Sequence, residues 1–275
     1  MATASANMIP PMFLIGVDRS DPHGGRAFDD VALALYFALC QVGEAAHGQR
    51  IVLGGARPRV LPPRAILFNL EQVAGRDDAF IERNFGAHKD RVVWDYAQAN
   101  VERLRAFGLR RVVHCPIGFV EGMGVRLAPR TEEPYDVLHY GAMSDRRYSV
   151  IRALIGARLN VRLLNGVYGE ERDLDVLRSK IVLNCHYYDE AVFEMVRVSH
   201  LAASMTCVVS ESGGLDPELE AFAAAATVYV PVGQIVETCV RLVGDSQART
   251  AAAIRGRRAI CAIDFVQSVR GALNA

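Results

Sequence analysis

Short apolar runs alternate with amphipathic segments of helical length along most of the chain. The runs at 12–17, 50–53 and 111–115 predict strands, and the Ala- and Leu-rich segment at 27–43 and the segment at 95–107 predict helices. Helices that alternate with strands in this way are typical of a parallel sheet covered on both faces. We therefore predict an α/β fold.

The alternation stops near residue 126 and begins again at Tyr135. Residues 126–134 are charged, contain two prolines and show no apolar period, which is typical of a linker. Beyond them we predict a long helix at 191–205 and two helices that close the chain. Further strands are predicted at 135–140, 161–164, 180–185, 207–210 and 228–230.

This restart divides the chain into two Rossmann-like halves. We predict a first domain over 1–125, the linker over 126–134, a second domain over 135–250 and a C-terminal helix over 251–275. Ligands of open α/β sheets bind beyond the carboxyl ends of the strands, so the cleft between the two halves is the expected site.

The composition is that of a chain with a sizeable core. Of the 275 residues 51% are hydrophobic, and 31 basic residues balance 31 acidic ones. A net charge of zero lacks the basic character typical of nucleic-acid-binding domains, so no nucleic-acid partner is expected, although a local basic patch is compatible with it. The six cysteines stand singly, and we expect them to behave as small buried hydrophobic residues.

No targeting or membrane-spanning segment is expected. The apolar run at 12–17 is short and has no preceding basic residue, unlike a signal peptide. No apolar stretch approaches the roughly 20 residues that span a bilayer. We therefore expect a cytoplasmic protein, and leave peripheral contact with a membrane surface open.

The first candidate site follows the strand at 135–140. There the sequence leads into a helix, whose first backbone N–H groups and positive dipole end attract an anion. Gly141 allows the backbone to approach a ligand, Ser144 offers a hydroxyl, and Arg146 or Arg147 can clamp phosphate oxygens. One glycine is not a dinucleotide-binding fingerprint, and an ordinary turn with two solvated arginines is the alternative.

The helix predicted at 191–205 carries a polar stripe on an apolar surface. At about 100° per residue, Glu194, Arg197, His200 and Ser204 fall within an arc of about 120°. A buried charged stripe needs partners or a ligand. Glu194 and Arg197 can instead simply pair with each other at i, i+3.

Polar residues also follow the strands on either side of that helix. His186, Tyr187 and Glu190 lie just beyond the strand at 180–185, and Glu211 lies at the end of the next strand. Both positions belong to the carboxyl edge of a parallel sheet, where ligand loops lie. A carboxylate at 211 is well placed to accept hydrogen bonds from ribose or sugar hydroxyls.

The layout resembles glycosyltransferases of the GT-B type, close to glycosyltransferase groups 1 and 4. The segment 180–211 is similar to the donor-binding core of that group. The Pro-His-Gly-Gly sequence at 22–25 is similar to the family's Gly-Gly loop, which implies that Gly24 and Gly25 reach the donor phosphate. Shorter strings are similar to a small bacterial subgroup of glycosyltransferases, and they lie at 69–72, 94–96, 116–119 and 183–186.

The chain departs from the family's Glu-x7-Glu pattern, in which the second glutamate holds the nucleotide ribose. Aligned on the strand that contains Val208 and Val209, those two positions fall on Val192 and His200. The resemblance implies a ribose contact for His200. The residues that could substitute for the missing carboxylate are Glu190, Glu194 and Glu211.

Two further positions are similar to sites of known glycosyltransferases. The family packs the nucleotide base at the level of the loop 165–169, so Tyr168 is a candidate to stack on it, although a tyrosine between two glycines is ordinary turn chemistry. Asp173 and Asp175 match the Asp-x-Asp metal pattern of the other large glycosyltransferase class. Because aspartates at i, i+2 are common and can cap a helix, no metal site is predicted.

For deprotonation of the acceptor, Glu71 is the first choice, because it lies just past a strand end on the cleft side. Asp95 and Asp18 are the other candidates. A purely structural hydrogen-bonding role for Glu71 remains the alternative.

We thus predict a metal-independent enzyme that transfers a sugar from a nucleoside-diphosphate sugar to a glycan, lipid-linked or small-molecule acceptor. No cofactor is predicted besides the donor, which is a substrate. The alternatives are a nucleotide-sugar epimerase and a non-catalytic nucleotide- or sugar-binding module of the same fold. The hypothesis depends on arginines and helix ends that converge on one interlobe pocket.

Overall fold

Two parallel sheets form the framework of the part of the chain that the structure describes. The computed structural model describes residues 12–19, 25–54, 61–124 and 132–275. Within these ranges each sheet has five strands, and all neighbouring strands run parallel. Helices connect the strands and pack on them. The prediction of an α/β fold with two Rossmann-like halves is confirmed.

The first lobe is built on the first sheet, whose spatial order β1-β2-β3-β4-β5 follows the chain. Strand β3 is buried along its whole length, as expected for a strand covered on both faces. The strands are β1 (Leu14–Val17), β2 (Arg50–Gly54), β3 (Ile66–Asn69), β4 (Val92–Asp95) and β5 (Arg111–His114). The helices are α1 (Asp29–Val42), α2 (Asp78–Phe85) and α3 (Gln98–Phe107), with 3-10 turns at Gly25–Phe28, Gly43–Ala46 and Gly86–His88.

The second lobe is built on the second sheet, whose spatial order is β10-β9-β8-β6-β7. The order reverses between β6 and β8, which lie side by side although a strand and two helices separate them in the chain. The strands are β6 (Tyr135–Tyr140), β7 (Val161–Leu164), β8 (Ser179–Asn184), β9 (Val208–Glu211) and β10 (Val228–Val230). The helices are α4 (Asp145–Gly156), α5 (Glu170–Leu177), α6 (Met195–Ala203), α7 (Pro217–Ala226) and α8 (Ile235–Val243), with a 3-10 turn at Val232–Gln234.

Two more helices end the chain, α9 (Ser246–Cys261) and α10 (Phe265–Asn274). Helix α9 packs on α6 and α7 of the second lobe, whereas α10 packs on α1 of the first. At the crossing, Phe119 donates its N–H to the Ile263 carbonyl (2.7 Å) and accepts from the N–H of Phe265 (3.1 Å). Three helices therefore follow β10, and the prediction of two closing helices is wrong.

Side chains cap the start of five helices. The capping oxygens belong to Asp77 before α2, Ser144 before α4, Asp216 before α7, Asp245 before α9 and Asp264 before α10. Each accepts a backbone N–H that the helix itself leaves unpaired, which stabilises a helix by about 1 kcal/mol. These caps fix where the helices begin, and one of them, Ser144, sits at the candidate site.

Two sequence-predicted elements differ from the structure. Residues 92–95 form strand β4, and α3 begins only at Gln98, so Asp95 ends a strand instead of opening a helix. Helix α6 begins only at Met195. The preceding residues Ala191, Val192 and Phe193 are buried but do not have helical geometry. The predicted linker at 126–134 lies mostly outside the described residues.

The two lobes share one apolar core. A continuous cluster of buried side chains runs from α1 and the first sheet through α6 to α10, and includes Leu35, Phe68, Val198 and Phe265. Helix α1 packs directly on α6. Among the helices of the described ranges, none combines the length and apolar character needed to cross a bilayer.

A buried interlobe ion-pair network lies beside this core. Arg172 of α5 donates to both carboxylate oxygens of Asp30 in α1, at 2.7 and 3.1 Å. Arg172 also donates to Asp173 (2.8 Å), and His200 of α6 lies 3.2 Å from the same carboxylate. The Arg172 side chain is only 5% exposed. A bidentate arginine–carboxylate pair of this kind fixes orientation as well as distance, so it sets how α1 and α5 face each other.

We expect Asp30→Ala to lower the free energy of unfolding by about 2–4 kcal/mol, because it leaves a buried guanidinium without its bidentate partner. Urea unfolding measures the change. Asp90→Ala is the control, since Asp90 pairs with Arg110 on the surface, where both side chains are almost four-fifths exposed, and such pairs contribute little. Equal losses in the two variants would contradict a special role for the interlobe network.

Candidate functional site

The candidate site lies where the strand order of the second sheet reverses. Gly141 follows β6, and Cys185 and His186 follow β8, so both segments leave the sheet at its carboxyl edge. Open α/β sheets bind ligands in the crevice at such a reversal, because the connections that follow the two neighbouring strands turn to opposite faces of the sheet. Seven sequence-predicted residues meet here, and we refer to them as the switch-point cluster: Gly141, Arg146, Arg147, His186, Glu194, Arg197 and Glu211.

Arg147 ties the edge of the sheet together. Its Nε donates to the Cys185 carbonyl and its Nη1 to the Ala142 carbonyl, both at 2.8 Å, and its Nη2 donates to Glu194. The residue is only 3% exposed. With every side-chain nitrogen engaged by the protein, Arg147 serves to position the loops after β6 and β8, and this geometry does not favour the direct phosphate contact expected from the sequence.

Arg197 packs against the backbone at Gly141. Its Nη1 donates to Asn184 Oδ1 and to Glu194 Oε2, both at 3.2 Å, and its guanidinium lies 5.1 Å from the centre of the Tyr140 ring. Gly141 has φ +114°, and a Cβ there would lie 2.7 Å from Nη2 of Arg197. The position therefore requires glycine both for its backbone conformation and for the guanidinium beside it.

Glu194 is shared by these two arginines. Burial favours the neutral acid and by itself raises the pKa of Glu194, but Arg147 and Arg197 outweigh burial and hold that pKa below its ordinary value. The pairing of Glu194 with Arg197, one of the two alternatives of the sequence analysis, is therefore present in the structure. Glu194 is ionised and orients both guanidinium groups.

Glu211 forms the second carboxylate of the cluster. It is 2% exposed, accepts the backbone N–H of His186 (3.0 Å) and the Cys185 thiol (3.1 Å), and pairs with Arg146. Its two oxygens are thus engaged by protein donors. Arg146 is the more accessible partner, at 26% exposure, and stands 3.6 Å from the carboxylate of Asp189.

Several buried polar atoms of this edge have no hydrogen-bond partner among the described residues. They are both ring nitrogens of His186, the Tyr140 hydroxyl and Nε of Arg146. Burial raises the pKa of Tyr140 to about 12, although Arg172 and Arg197 oppose the rise, so its hydroxyl keeps its proton. Unsatisfied buried polar groups are rare and cost about 1–3 kcal/mol each, so we interpret these atoms as candidate contacts of a polar ligand.

The helix N-terminus predicted to attract an anion is that of α4. Ser144 caps it by accepting the N–H of Arg147 at 3.4 Å. The cap engages the hydroxyl oxygen and leaves the hydroxyl proton available for a donor role. The α4 dipole thus points its positive end at the switch-point cluster.

Of the three candidate bases, Asp95 is the one that solvent does not reach. Its carboxylate is fully buried and accepts from Asn69 (2.6 Å), Asn100 (3.0 Å) and the N–H of Ala97 (2.9 Å). Burial raises its pKa to about 7. Asn100 also accepts the N–H groups of residues 73 and 74, so this network holds the loop after β3 in place. A group enclosed in this way supports the loop and cannot touch an acceptor.

Glu71 and Asp18 occupy the carboxyl edge of the first sheet. Glu71 is exposed and lies on the loop that Asn100 holds. Burial is the largest cause of the raised pKa of Tyr96, and the carboxylates of Glu194 and Glu71 raise that pKa further. Glu71 of the first lobe and Glu194 of the second therefore both lie near Tyr96. Asp18 follows β1 and is half-buried beside Gly54. A Cβ added at Gly54 would lie only 2.7 Å from the Cβ of Asp18.

The remaining predicted residues lie around the cluster or in contacts between the lobes. Tyr168 stacks against Arg26 of the first lobe, 5.4 Å from guanidinium to ring centre. Tyr187 lies beside Arg147, and Glu190 packs against Gly75 of the first lobe. His200 belongs to the interlobe ion-pair network. Gly25 opens the 3-10 turn before α1, and Gly24 lies outside the described residues.

The two aspartates of the Asp-x-Asp string have separate partners. Asp173 accepts from Arg172 and His200, and Asp175 accepts from Arg162 at 3.0 Å. Among the described residues, no group of three histidine, cysteine or acidic side chains comes together as a metal-holding set.

Sequence reasoning missed Tyr140 and Asn184, which contact Arg197. Both are the last residues of strands that flank the reversal of strand order. The signal was present in the sequence as two polar side chains at predicted strand ends. What the sequence could not supply was the spatial order of the strands, which makes β6 and β8 neighbours.

No protein-family model matches the chain. Among curated proteins it is similar to two uncharacterized proteins of Acanthamoeba polyphaga mimivirus. Protein L140 is 26% identical over 185 residues, which cover 66% of this chain and 59% of L140. Protein L138 is 28% identical over 127 residues, which cover 46% of this chain and 14% of L138. The chain thus spans less than two thirds of the length of either relative.

Two solved structures share its architecture. TarM matches with a TM-score of 0.55 and 11% identity, over 82% of this chain and 54% of TarM. AviGT4, a glycosyltransferase involved in avilamycin A biosynthesis, matches with a TM-score of 0.51 and 17% identity, over 96% of this chain and 98% of AviGT4. With its two parallel five-stranded sheets, the chain therefore has the GT-B fold of glycosyltransferases.

Proposed function

We propose that the protein is a glycosyltransferase whose nucleoside-diphosphate sugar donor binds at the switch-point cluster. The observation that carries the proposal is the convergence of Arg146, Arg197 and the N-terminus of α4 on the crevice between β6 and β8. These groups supply fixed positive charge where a diphosphate would lie, without reorganisation at the moment of reaction.

Arg146 and Arg197 are the proposed phosphate ligands. They are 26% and 15% exposed, so each combines a partner carboxylate with an accessible face. Glu211 and Glu194 orient the guanidinium groups, much as outer-shell carboxylates orient metal ligands. The arginines and the helix end would thus supply the charge that a divalent metal supplies in other transferases.

For the nucleoside, the proposal uses residues on the rim of the cluster. Glu190 is exposed, unlike Glu194 and Glu211, so it is the carboxylate of the three that we propose for the ribose. Tyr168 offers an aromatic face to the base. His200 contacts Asp173 and Arg172 within the protein, so we propose Glu190 rather than His200 as the main ribose contact.

In the proposed reaction the bond between the sugar anomeric carbon and the β-phosphate oxygen breaks, and its electron pair leaves on that oxygen. A new bond forms from the anomeric carbon to an acceptor hydroxyl oxygen. The proton of that hydroxyl passes to Glu71, an exposed carboxylate at the carboxyl edge of the first sheet. The acceptor is a glycan, a lipid-linked molecule or a small molecule.

Nucleotide sugars are expected to raise the melting temperature of the protein by several degrees at saturation, because a ligand that binds only the folded state stabilises it by mass action. A thermal-shift screen with UDP-glucose, UDP-N-acetylglucosamine, GDP-mannose and dTDP-rhamnose tests this. If none of them shifts the transition at millimolar concentration, the proposal fails. Interconversion of a bound donor without any acceptor would instead indicate an epimerase.

Gly141→Ala is expected to weaken donor binding about tenfold or more, because the new Cβ would displace the guanidinium of Arg197. Gly108→Ala is a matched control. Its φ of +108° imposes the same backbone strain, but a Cβ there meets no atom within 4 Å, at the far end of α3. Calorimetry should show weaker donor binding in the first variant alone. Equal affinity in both variants would argue against Arg197 as a phosphate ligand.

Glu71→Gln is expected to lower kcat about a hundredfold or more with little change in donor affinity, because the amide cannot accept the acceptor proton. Glu102→Gln, an exposed change on α3, should leave kcat unchanged. The measurement is a steady-state assay of nucleoside-diphosphate release with the acceptor varied. Normal turnover of Glu71→Gln would remove Glu71 from the mechanism.

A further inference from the structure

Arg76 lies beside the cleft between the lobes and contacts an aromatic ring on the other side of it. It belongs to the loop between β3 and α2, five residues beyond Glu71. Its guanidinium carbon stands 3.6 Å from the ring centre of Tyr188, which follows β8 in the second lobe. A second ring, that of Phe80, lies 5.1 Å away. Both loops leave the carboxyl edge of their sheets, so the contact between Arg76 and Tyr188 spans the cleft.

The contact with Tyr188 determines which part of the guanidinium remains available. At 3.6 Å the group must lie with its flat face on the ring, because an edge-on approach would bring its nitrogens inside van der Waals contact. The N–H donors of a guanidinium lie in its plane, so stacking leaves them directed away from the ring. Within the described ranges, no hydrogen bond or ion pair engages these donors, and the residue is only half-buried.

No carboxylate of the described residues neutralises Arg76 by direct contact. Asp77 caps the N-terminus of α2, and Asp78 pairs with Arg103. Arg103 also donates twice to the backbone carbonyl of Arg76, at 3.2 and 3.0 Å, and so holds the loop in place. Glu190 reaches the same loop from the second lobe, but it forms no ion pair with Arg76. Arg76 is therefore a held cation with a planar fork of free donors.

We propose that Arg76 binds an anionic group of the acceptor, a carboxylate or a phosphate, so that the enzyme glycosylates a negatively charged acceptor. The inference rests on the proposed function. The planar fork of a guanidinium matches two oxygens of either group. The donor diphosphate has its own proposed cations in the second lobe, Arg146 and Arg197, whereas Arg76 belongs to the first. Arg76 also shares its loop with Glu71, so an acceptor anchored there lies on the side of the cleft that carries the proposed base.

The test is calorimetry with pairs of acceptor analogues that differ in one group. Glucose 6-phosphate against glucose tests a phosphate, and glucuronate against glucose tests a carboxylate. The protein is first saturated with the nucleoside diphosphate of the donor found in the thermal-shift screen, which fills the switch-point cluster and allows no turnover. The wild type is expected to bind at least one of the charged sugars about tenfold or more tightly than glucose, because glucose lacks the charge-assisted pair with Arg76.

Arg76→Gln is expected to remove this preference and to leave the affinity for glucose unchanged. Glutamine keeps a planar group that can lie on the ring of Tyr188, but it carries no charge. Arg178→Gln is the matched control. Arg178 is exposed and lies 5.5 Å from the ring centre of Tyr135, at the opposite edge of the second sheet, so its loss should leave the preference intact. Circular dichroism checks that both variants fold.

Four results overturn the inference. Equal affinity of the wild type for charged and neutral sugars does so and leaves the donor site standing. A preference that survives in Arg76→Gln assigns the anion to another cation. An equal loss of affinity for charged and neutral sugars in that variant makes Arg76 a contact between the lobes and nothing more. Failure of every nucleotide sugar to bind removes the inference together with the proposed function.

Discussion

The sharing of Glu194 between Arg147 and Arg197 is the interaction on which the geometry of the site depends. Arg147 joins the loops after β6 and β8, and Arg197 lies against Gly141, so one carboxylate fixes the two guanidinium groups that border the crevice. Without that negative charge, the two neighbouring guanidinium groups would repel each other. A buried ion set of this kind is stable only when complete, because each member compensates the desolvation of the others.

The ring of Tyr140 lies between the switch-point cluster and the interlobe ion-pair network, next to an arginine of each. Arg197 of the switch-point cluster and Arg172 of the interlobe network lie 5.1 and 5.5 Å from the centre of Tyr140. Cations over an aromatic face are attracted to it, and they also repel each other across it. The position of one guanidinium therefore influences the other, and the crevice at the switch-point cluster and the contact between the lobes share one electrostatic environment.

Much of the site could be predicted from the sequence, because parallel strands bring their carboxyl ends to one edge. Gly141, His186 and Glu211 were found as strand-end residues for that reason. Side-chain partners could not be predicted in the same way. Nothing in the sequence indicates that protein acceptors occupy every side-chain nitrogen of Arg147, or that Asp30 pairs with Arg172 across 142 residues. Strand β4 was missed because the helix was predicted to begin at Asp95, the residue that ends this strand.

The return of the last helix to the first lobe has a mechanical consequence. The chain passes between the lobes twice, once between β5 and β6 and once between α9 and α10. The shared apolar core and the Asp30–Arg172 pair also hold the lobes together, so the two crossings add a covalent restraint to contacts that already oppose twisting. Any relative displacement of the lobes would then be smallest beside Phe119 and Ile263, where backbone hydrogen bonds join the two crossings to each other.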